Sequence, residues 1–119
     1  MLRTLVFGAS LNPNRYSNLV IHRLVEKGID TLAFGLKSGL VDNVQIKTNL
    51  TDLQDVHTIT LYLNGKRQKE YYQSILSLRP KRVIFNPGTE NQEFYELLQK
   101  NGIKVEVACT LVLLSTGQY

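Results

Sequence analysis

The sequence has little or none of several features that mark specialised protein classes. Its 119 residues include one cysteine, Cys109, two histidines and no tryptophan. A single cysteine excludes an internal disulfide and a cysteine-rich metal site, and no Cys/His/Asp cluster has metal-ligand spacing. No apolar run is long enough to span a bilayer, and the first apolar run is too short for a signal peptide. We therefore expect a soluble cytoplasmic protein without a metal site and without a membrane partner.

The composition is that of an ordinary globular protein, with 43% hydrophobic and 20% charged residues, and the length predicts one domain over residues 1–119. The net charge is +4 and the pI is near 9.3. Most basic residues are scattered, and the clusters at 66–69 and 79–82 are typical of a solvated helix face and a loop. Nucleic-acid binding would need a basic stripe interleaved with aromatics, which is lacking. An anionic small molecule accounts for the positive charge equally well.

Apolar patterning predicts alternating strands and helices. Predicted strands cover residues 4–7, 31–34, 57–63, 82–85 and 104–108, and predicted helices cover 16–27 and 66–78. A capping box of Thr89 and Gln92 predicts the start of a third helix, which Gly102 ends. Residues 36–49 are predicted to be a loop with a short extended piece near 44–46, and 111–114 a last strand or helical turn. The alternation predicts an α/β, three-layer Rossmann-like fold with a mainly parallel sheet of about five strands.

The chain is organised around residues 4–18, where a short strand meets a glycine turn and then a helix. Gly8, Ala9 and Ser10 are small enough for backbone N–H groups to approach an anion, and a helix is expected to begin near Arg15. Glycine also follows or lies near the ends of three further strands, in the turns 35–39, 63–66 and 86–89. Ligands of such sheets bind outside the carboxyl ends of the strands. These four turns therefore predict a phosphate-binding loop and a nucleotide site.

The residues favour some nucleotides over others. The dinucleotide fingerprint G-x-G-x-x-G is absent, and no carboxylate follows the second strand to bind ribose hydroxyls, which disfavours NAD. Lys37 lies after that strand instead, and its charge suits a phosphorylated ribose, as in NADP or coenzyme A (CoA).

The opening turn resembles a known family. Its residues Gly8-Ala-Ser, Pro13-Asn14-Arg15 and Ser17-Asn18 match the G-A-S-x-x-P-x-[RK]-x-[GS]-N opening of small single-domain CoA-binding proteins. These are similar to the CoA-binding N-terminal domain of the succinyl-CoA synthetase α subunit. The resemblance covers nearly the whole chain and includes residues 86–91 and Gly102-Ile103 leading to Cys109.

The resemblance implies a Rossmann-type domain that binds CoA or an acyl-CoA. It implies that Gly8 to Ser10 and Arg15 hold phosphates, that Lys37 meets the ADP phosphates, and that Leu63 contacts the nucleotide or the pantetheine arm. Residues 86–88 would line the thiol end, which Cys109 could face. The candidate cofactor-binding residues are Gly8, Ala9, Ser10, Pro13, Asn14, Arg15, Ser17, Gly35, Lys37, Leu63, Asn86, Pro87, Gly88 and Cys109.

The sequence departs from the family pattern in one turn and lacks the synthetase machinery. Gly35-Leu36 replaces the usual N-P after the second strand, which leaves the adenosine contacts there open. No phosphohistidine or nucleotide-grasping domain is expected, so ligase activity does not transfer. The sequence favours a CoA-binding module without catalysis, which could have a protein partner or form a homo-oligomer. The alternative is an enzyme, either an NADP-linked reductase or an acyl-CoA thiol-transfer catalyst using Cys109, although this cysteine could also be simply buried.

Overall fold

The protein, described over residues 2–119 by a computed structural model, alternates strands and helices. The strands are β1 (Thr4–Ala9), β2 (Thr31–Gly35), β3 (Gly39–Val41), β4 (Val44–Lys47), β5 (Thr58–Leu61), β6 (Arg82–Phe85) and β7 (Lys104–Val107). The helices are α1 (Tyr16–Glu26), α2 (Gly65–Gln68), α3 (Tyr72–Leu78), α4 (Gln92–Lys100) and α5 (Thr110–Ser115), and a 3-10 turn, Lys69–Tyr71, joins α2 to α3.

All seven strands form one sheet in the order β3-β4-β2-β1-β5-β6-β7. Every neighbouring pair is parallel except β3 and β4, and Phe7 of the central strand pairs with Phe34 on one side and Leu61 on the other. The chain leaves β1 towards β2 and later returns to the opposite side of β1 with β5. This reversal beside β1 opens a crevice at the carboxyl ends of the strands. The predicted α/β Rossmann-like fold is confirmed.

Two apolar clusters cover the two faces of the sheet. On one face, Phe94 and Leu98 of α4 and Ile75 of α3 pack against β1, β5 and β6. On the other face, α1 and Leu114 of α5 pack against the opposite sides of β1 and β2. Complete burial of one such aliphatic or aromatic side chain is worth about 1.5–3 kcal/mol. The sheet is thus fixed from both sides, while its carboxyl ends stay accessible.

The sheet has two more strands than the predicted five, because residues 36–49 form more than a loop with one extended piece near 44–46. They contain β3 and β4, which form an antiparallel hairpin at the edge of the sheet. Asp42 and Asn43 turn this hairpin with positive φ angles of 49° and 65°, a conformation that Asp and Asn tolerate. Strands of three and four residues are too short to show a clear alternation.

Two further predictions needed correction. The helix predicted over 66–78 is divided by the 3-10 turn. The C-terminal apolar run, predicted to be a last strand or a helical turn, forms helix α5, which agrees with the second alternative. The capping box was wrong: the Asn91 side chain caps α4 by accepting from the Phe94 N–H, while the Thr89 hydroxyl donates to the Asn86 carbonyl. A turn between strand and helix therefore occupies the residues first assigned to the helix start.

Within residues 2–119, no helix is both long and apolar enough to cross a membrane; the longest, α1, has 11 residues.

Candidate functional site

A cleft of about 620 Å³ lies at the carboxyl ends of β1, β2 and β5, where the direction of the chain reverses. Four connections contribute to it: the β1–α1 loop, the β2–β3 loop, the segment after β5 and the turn after β6. The cleft is lined by Gly8, Ala9, Ser10, Leu11, Asn12, Arg15, Tyr16, Ser17, Phe34, Gly35, Leu36, Lys37, Tyr62, Leu63, Arg67, Tyr71 and Pro87.

Two glycines bring the backbone of neighbouring strands together at the base of the cleft. Gly8 has a φ of +97°, which side chains rarely adopt, and a Cβ there would lie 3.1 Å from the Leu63 side chain. At Gly35 a Cβ would lie only 2.3 Å from the carbonyl oxygen of Ala9. The pairing of β1 with β2 is irregular at the same point, between Phe7 and Ala9. Glycine at these two positions therefore lets the turn after β1 pack closely against β2 and against the segment after β5 at the base of the cleft.

The loop between β1 and α1 is held by its own polar groups. The Asn12 side chain accepts from the Asn14 N–H, and the Asn18 side chain donates to the Ser10 carbonyl. Arg15 occupies the N-cap position of α1, and no side chain caps the first N–H groups of this helix within residues 2–119. An uncapped helix N-terminus leaves backbone donors for another acceptor, and its dipole favours an anion.

The charges that line the cleft are all positive. Arg15, Lys37 and Arg67 contribute exposed side chains, and no aspartate or glutamate is among the lining residues. Among residues 2–119, none of these three cations takes part in an ion pair. Uncompensated charge of one sign in a cleft concentrates ligands of the opposite sign. The cleft is therefore built to attract an anion.

The rim and floor of the cleft add apolar surface. Tyr16 and Leu36 are 73% and 72% exposed at the rim, together with the less exposed Leu11. In the floor, Tyr71 packs edge-on against Phe34 with ring centroids 5.6 Å apart. Such surface suits the face of a planar ring and the methylene groups of a flexible chain. The site therefore combines anion attraction with apolar contact.

Nine of the fourteen predicted site residues line this cleft: Gly8, Ala9, Ser10, Arg15, Ser17, Gly35, Lys37, Leu63 and Pro87. Pro13 and Asn14 lie on the exposed outer part of the β1–α1 loop and are not lining residues. The glycine turns thus bring together residues that are far apart in the sequence.

Asn86, Gly88 and Cys109 lie outside the set that lines the cleft. Asn86 is 1% exposed, and its amide group is hydrogen-bonded to Thr60, Leu61 and the backbone of Thr110. Gly88 is exposed with a φ of +92°, and its N–H donates to the Glu90 carboxylate. Cys109 is half-buried at the start of α5. Asn86 thus ties β5 to α5 in the core.

Several lining residues were not selected from the sequence. Leu11, Asn12, Tyr16 and Leu36 belong to the turns that were recognised, but their side chains had no motif to identify them. Arg67 and Tyr71 are four residues apart, a spacing that places side chains on one helical face and could have indicated a shared site.

Tyr62 is a further lining residue with an unusual environment. Its hydroxyl is buried and has no hydrogen-bond partner among residues 2–119. Burial raises the pKa of this phenol well above its ordinary value. Tyr62 therefore lines the cleft as a neutral phenol.

Comparison with known proteins identifies a family. The family model described as a CoA binding domain matches residues 3–115. A crystal structure described as that of an uncharacterized protein shares 45% sequence identity, with a TM-score of 0.96; the match covers 100% of this chain and 98% of the other. No curated protein matches the chain.

Two more distant structures show the same fold. Cell-free ID.343 from Thermus thermophilus is 23% identical over 99% of this chain and 90% of its own, with a TM-score of 0.87. A conserved hypothetical protein from Pyrococcus furiosus is 23% identical over 94% of this chain and 98% of its own, with a TM-score of 0.82. At these identities the likeness concerns the fold alone.

Proposed function

Because the chain belongs to the family of CoA-binding domains, we propose that its cleft binds CoA or an acyl-CoA without catalysing a reaction itself. The observation that carries this proposal is the charge of the cleft: Arg15, Lys37 and Arg67 line it, and no carboxylate does so within the part of the chain that the structure describes. CoA carries a diphosphate and a separate 3′-phosphate, so it offers several negative charges to these cations. Apolar parts of the same ligand, the adenine ring and the pantetheine arm, suit the rim and floor.

The glycine turns fit the diphosphate. Gly8 and Gly35 leave backbone where a Cβ would crowd Leu63 or the Ala9 carbonyl, and the uncapped N-terminus of α1 faces the same region. We place the diphosphate there, beside Arg15, because backbone N–H groups and a guanidinium are strong phosphate ligands.

The β2 side of the cleft fits the adenosine. In Rossmann-like sheets the residue after the second strand lies beside the ribose. Lys37 has this position, and we place the 3′-phosphate of CoA against it. Leu36 and Tyr16 offer their exposed apolar surface to the adenine ring. Leu36, where the family usually has proline, thereby keeps an apolar contact on this side.

A binding role without catalysis is supported by the kinds of side chain in the cleft. Its lining within residues 2–119 includes no carboxylate, imidazole or thiol, the groups that most often transfer protons or attack a thioester. Cys109 is outside this set, so a thiol-transfer reaction would require the acyl group to extend beyond the cleft.

Isothermal titration calorimetry with CoA, dephospho-CoA and NADPH tests the proposal. We expect CoA to bind with a Kd of about micromolar magnitude and Arg15→Ala to weaken binding roughly tenfold, the effect of one lost charge-assisted hydrogen bond. Arg23→Ala is the matched control, because Arg23 is on the same helix, is exposed and does not line the cleft. Equal losses in both variants, or no binding of CoA, would refute the site.

The ligand series separates the alternatives. If Lys37 binds the 3′-phosphate, Lys37→Ala should weaken CoA binding roughly tenfold and leave dephospho-CoA almost unchanged. Tighter binding of NADPH than of CoA would instead favour a reductase. Turnover of an acyl-CoA that disappears in Cys109→Ser would favour the thiol-transfer enzyme.

A further inference from the structure

Three cations line the described part of the cleft. Arg15 belongs to the opening motif and Lys37 to the glycine turn after β2, whereas Arg67 belongs to neither. It lies on α2, immediately after β5, and faces the cleft together with Tyr71 of the 3-10 turn. Its basic neighbours Lys66 and Lys69 are exposed but do not line the cleft. Of the three basic residues of this segment, only Arg67 is therefore directed towards the site.

The backbone that carries Arg67 is firmly anchored. Gln68 is fully buried, and its amide donates to the carbonyls of Leu63 at 2.8 Å and Thr89 at 2.7 Å. The Gln68 carbonyl oxygen accepts from the Asn91 side chain at 2.9 Å. The Asn64 side chain caps α2 by accepting from the N–H of Arg67 itself. These bonds fix the backbone of α2, so the point from which the Arg67 side chain extends into the cleft is set by the fold.

The positions of the three cations follow the order of the strands. Lys37 follows β2, Arg15 follows β1 and Arg67 comes after β5, and these strands are neighbours in that order. Adjacent strands are about 4.8 Å apart, so the carboxyl ends of these three strands span roughly 10 Å across the sheet. Arg67 is therefore on the side of Arg15 that is opposite to Lys37. If the adenosine lies on the β2 side and the diphosphate beside Arg15, the second phosphate lies on the side of Arg67.

We propose that Arg67 binds the second phosphate of the diphosphate, the one that continues into the pantetheine arm, and so makes the cleft selective for diphosphate over monophosphate ligands. This assignment rests on the proposed nucleotide site. Arg15 and Arg67 would hold the diphosphate from two sides, since each guanidinium can donate two parallel hydrogen bonds to phosphate oxygens. Tyr71 is the apolar floor between this phosphate and the sheet.

The test is a titration of ¹⁵N-labelled protein with CoA, ADP and AMP, followed by NMR, which measures weak binding as well as tight binding. We expect Arg67→Ala to weaken the binding of CoA and of ADP about tenfold. The binding of AMP should weaken less than about twofold, because AMP lacks the second phosphate. Arg67→Lys should fall between, since an ammonium keeps the charge but not the paired donors. Lys66→Ala, the adjacent control, should leave all three affinities unchanged.

Each other outcome has a distinct meaning. If the wild-type protein binds CoA and the Arg67→Ala variant binds CoA and ADP as tightly as the wild-type protein does, Arg67 is not a phosphate ligand, although the proposed function stands. If Arg67→Ala weakens the binding of AMP and of ADP by the same factor, Arg67 acts only through the electrostatic field of its charge. That result also overturns the assignment. In a further case, the wild-type protein binds ADP but not CoA, and Arg67→Ala loses the binding of ADP. This result would support Arg67 as the ligand of the second phosphate and would refute the proposed function. Binding of none of the three ligands would refute both.

Discussion

Replacing Asn86 with alanine is expected to destabilise the fold by about 3–5 kcal/mol, with little direct effect on ligand affinity. Its Nδ2 donates to the Thr60 hydroxyl at 2.8 Å and to the Leu61 carbonyl at 2.9 Å. Its Oδ1 accepts from the Thr110 N–H at 2.9 Å, and the residue is 1% exposed. Alanine leaves the Leu61 carbonyl and the Thr110 N–H without these partners in the core.

The magnitude follows from these unpaired groups. Each buried group that loses its partner costs about 1–3 kcal/mol, and the space left by the amide adds to that cost. The Thr60 hydroxyl costs less because it keeps its hydrogen bond to Thr110. Since the folded state of a typical domain is only about 5–15 kcal/mol more stable than the unfolded state, the change removes a large share of the stability.

Urea unfolding followed by circular dichroism is the assay. With a denaturant slope of about 2 kcal/mol per molar, the midpoint should fall by about 2 M. Asn101→Ala is the matched control: Asn101 is exposed, and its side chain makes one hydrogen bond, to the Leu97 carbonyl. The control should lose less than about 1 kcal/mol. We expect the folded Asn86→Ala protein to bind CoA within about threefold of wild type.

One result would refute this reasoning. If Asn86→Ala unfolded at the wild-type midpoint and lost CoA binding, the amide would be a ligand group and its hydrogen bonds to β5 and α5 would be dispensable. The sequence interpretation of Asn86 as part of the thiol end would then be preferred. Asn86→Asp distinguishes the two further, because it keeps the acceptor for Thr110 and replaces only the donor with a buried acceptor. We expect that variant to be destabilised as well.

Three other predictions follow from single contacts. Gly35→Ala should cost about 1–3 kcal/mol in urea unfolding and weaken CoA binding, because its Cβ would lie 2.3 Å from the Ala9 carbonyl and separate the two turns; unchanged stability and affinity would contradict this close packing. Burial, followed by the Arg82 guanidinium, lowers the pKa of His57 from its ordinary value of 6.5, so protonation favours the unfolded state. Stability should therefore fall as the pH drops below about 6.5, and His57→Gln should lose less stability than wild type between about pH 7.5 and about pH 5.5, measured by the urea midpoint; equal losses would show that another group is responsible. Cys109→Ser should leave the calorimetric Kd for CoA unchanged within about twofold, since Cys109 does not line the cleft; a larger loss would place the thiol at the ligand.

The sequence predicts the sheet well where its elements are long or end in glycine. Strand β6 and helix α1 agree with the prediction within one residue, because the turn Asn86-Pro87-Gly88 follows the apolar run of β6 and Gly28 ends the periodic pattern of α1. The extended piece predicted near 44–46 corresponds to β4, but β3 and the hairpin were missed because strands this short give no periodic signal, although the Asp42-Asn43 turn was visible in the sequence. Local signals thus identify the parallel core of the sheet but not its short antiparallel edge.

The candidate cleft was located from the same signals. Gly8 and Gly35 mark strand ends in the sequence, and the topology brings those ends together, so the turns were found without knowledge of side-chain contacts. The direction of polar side chains was harder to predict. Gln68 is polar and lies in a basic helix, yet it is fully buried, because the carbonyls of Leu63 and Thr89 need a donor. Periodicity cannot identify such a residue, because its burial depends on hydrogen-bond partners that are distant in the sequence.

Asn86, which follows β6, and Arg67, on helix α2, show why polar residues near the carboxyl end of the sheet have two different roles. An amide is short and carries both a donor and an acceptor, so Asn86 can satisfy backbone groups of neighbouring elements and become part of the core. A guanidinium is always charged and is costly to bury without a partner, so Arg67 stays exposed and unpaired among the described residues. The charged side chains of the cleft can therefore be replaced with little loss of stability, whereas replacing the buried amides destabilises the fold. It follows that the ligand preference of this fold can change through its exposed cations while the glycine turns and buried amides that shape the cleft stay the same.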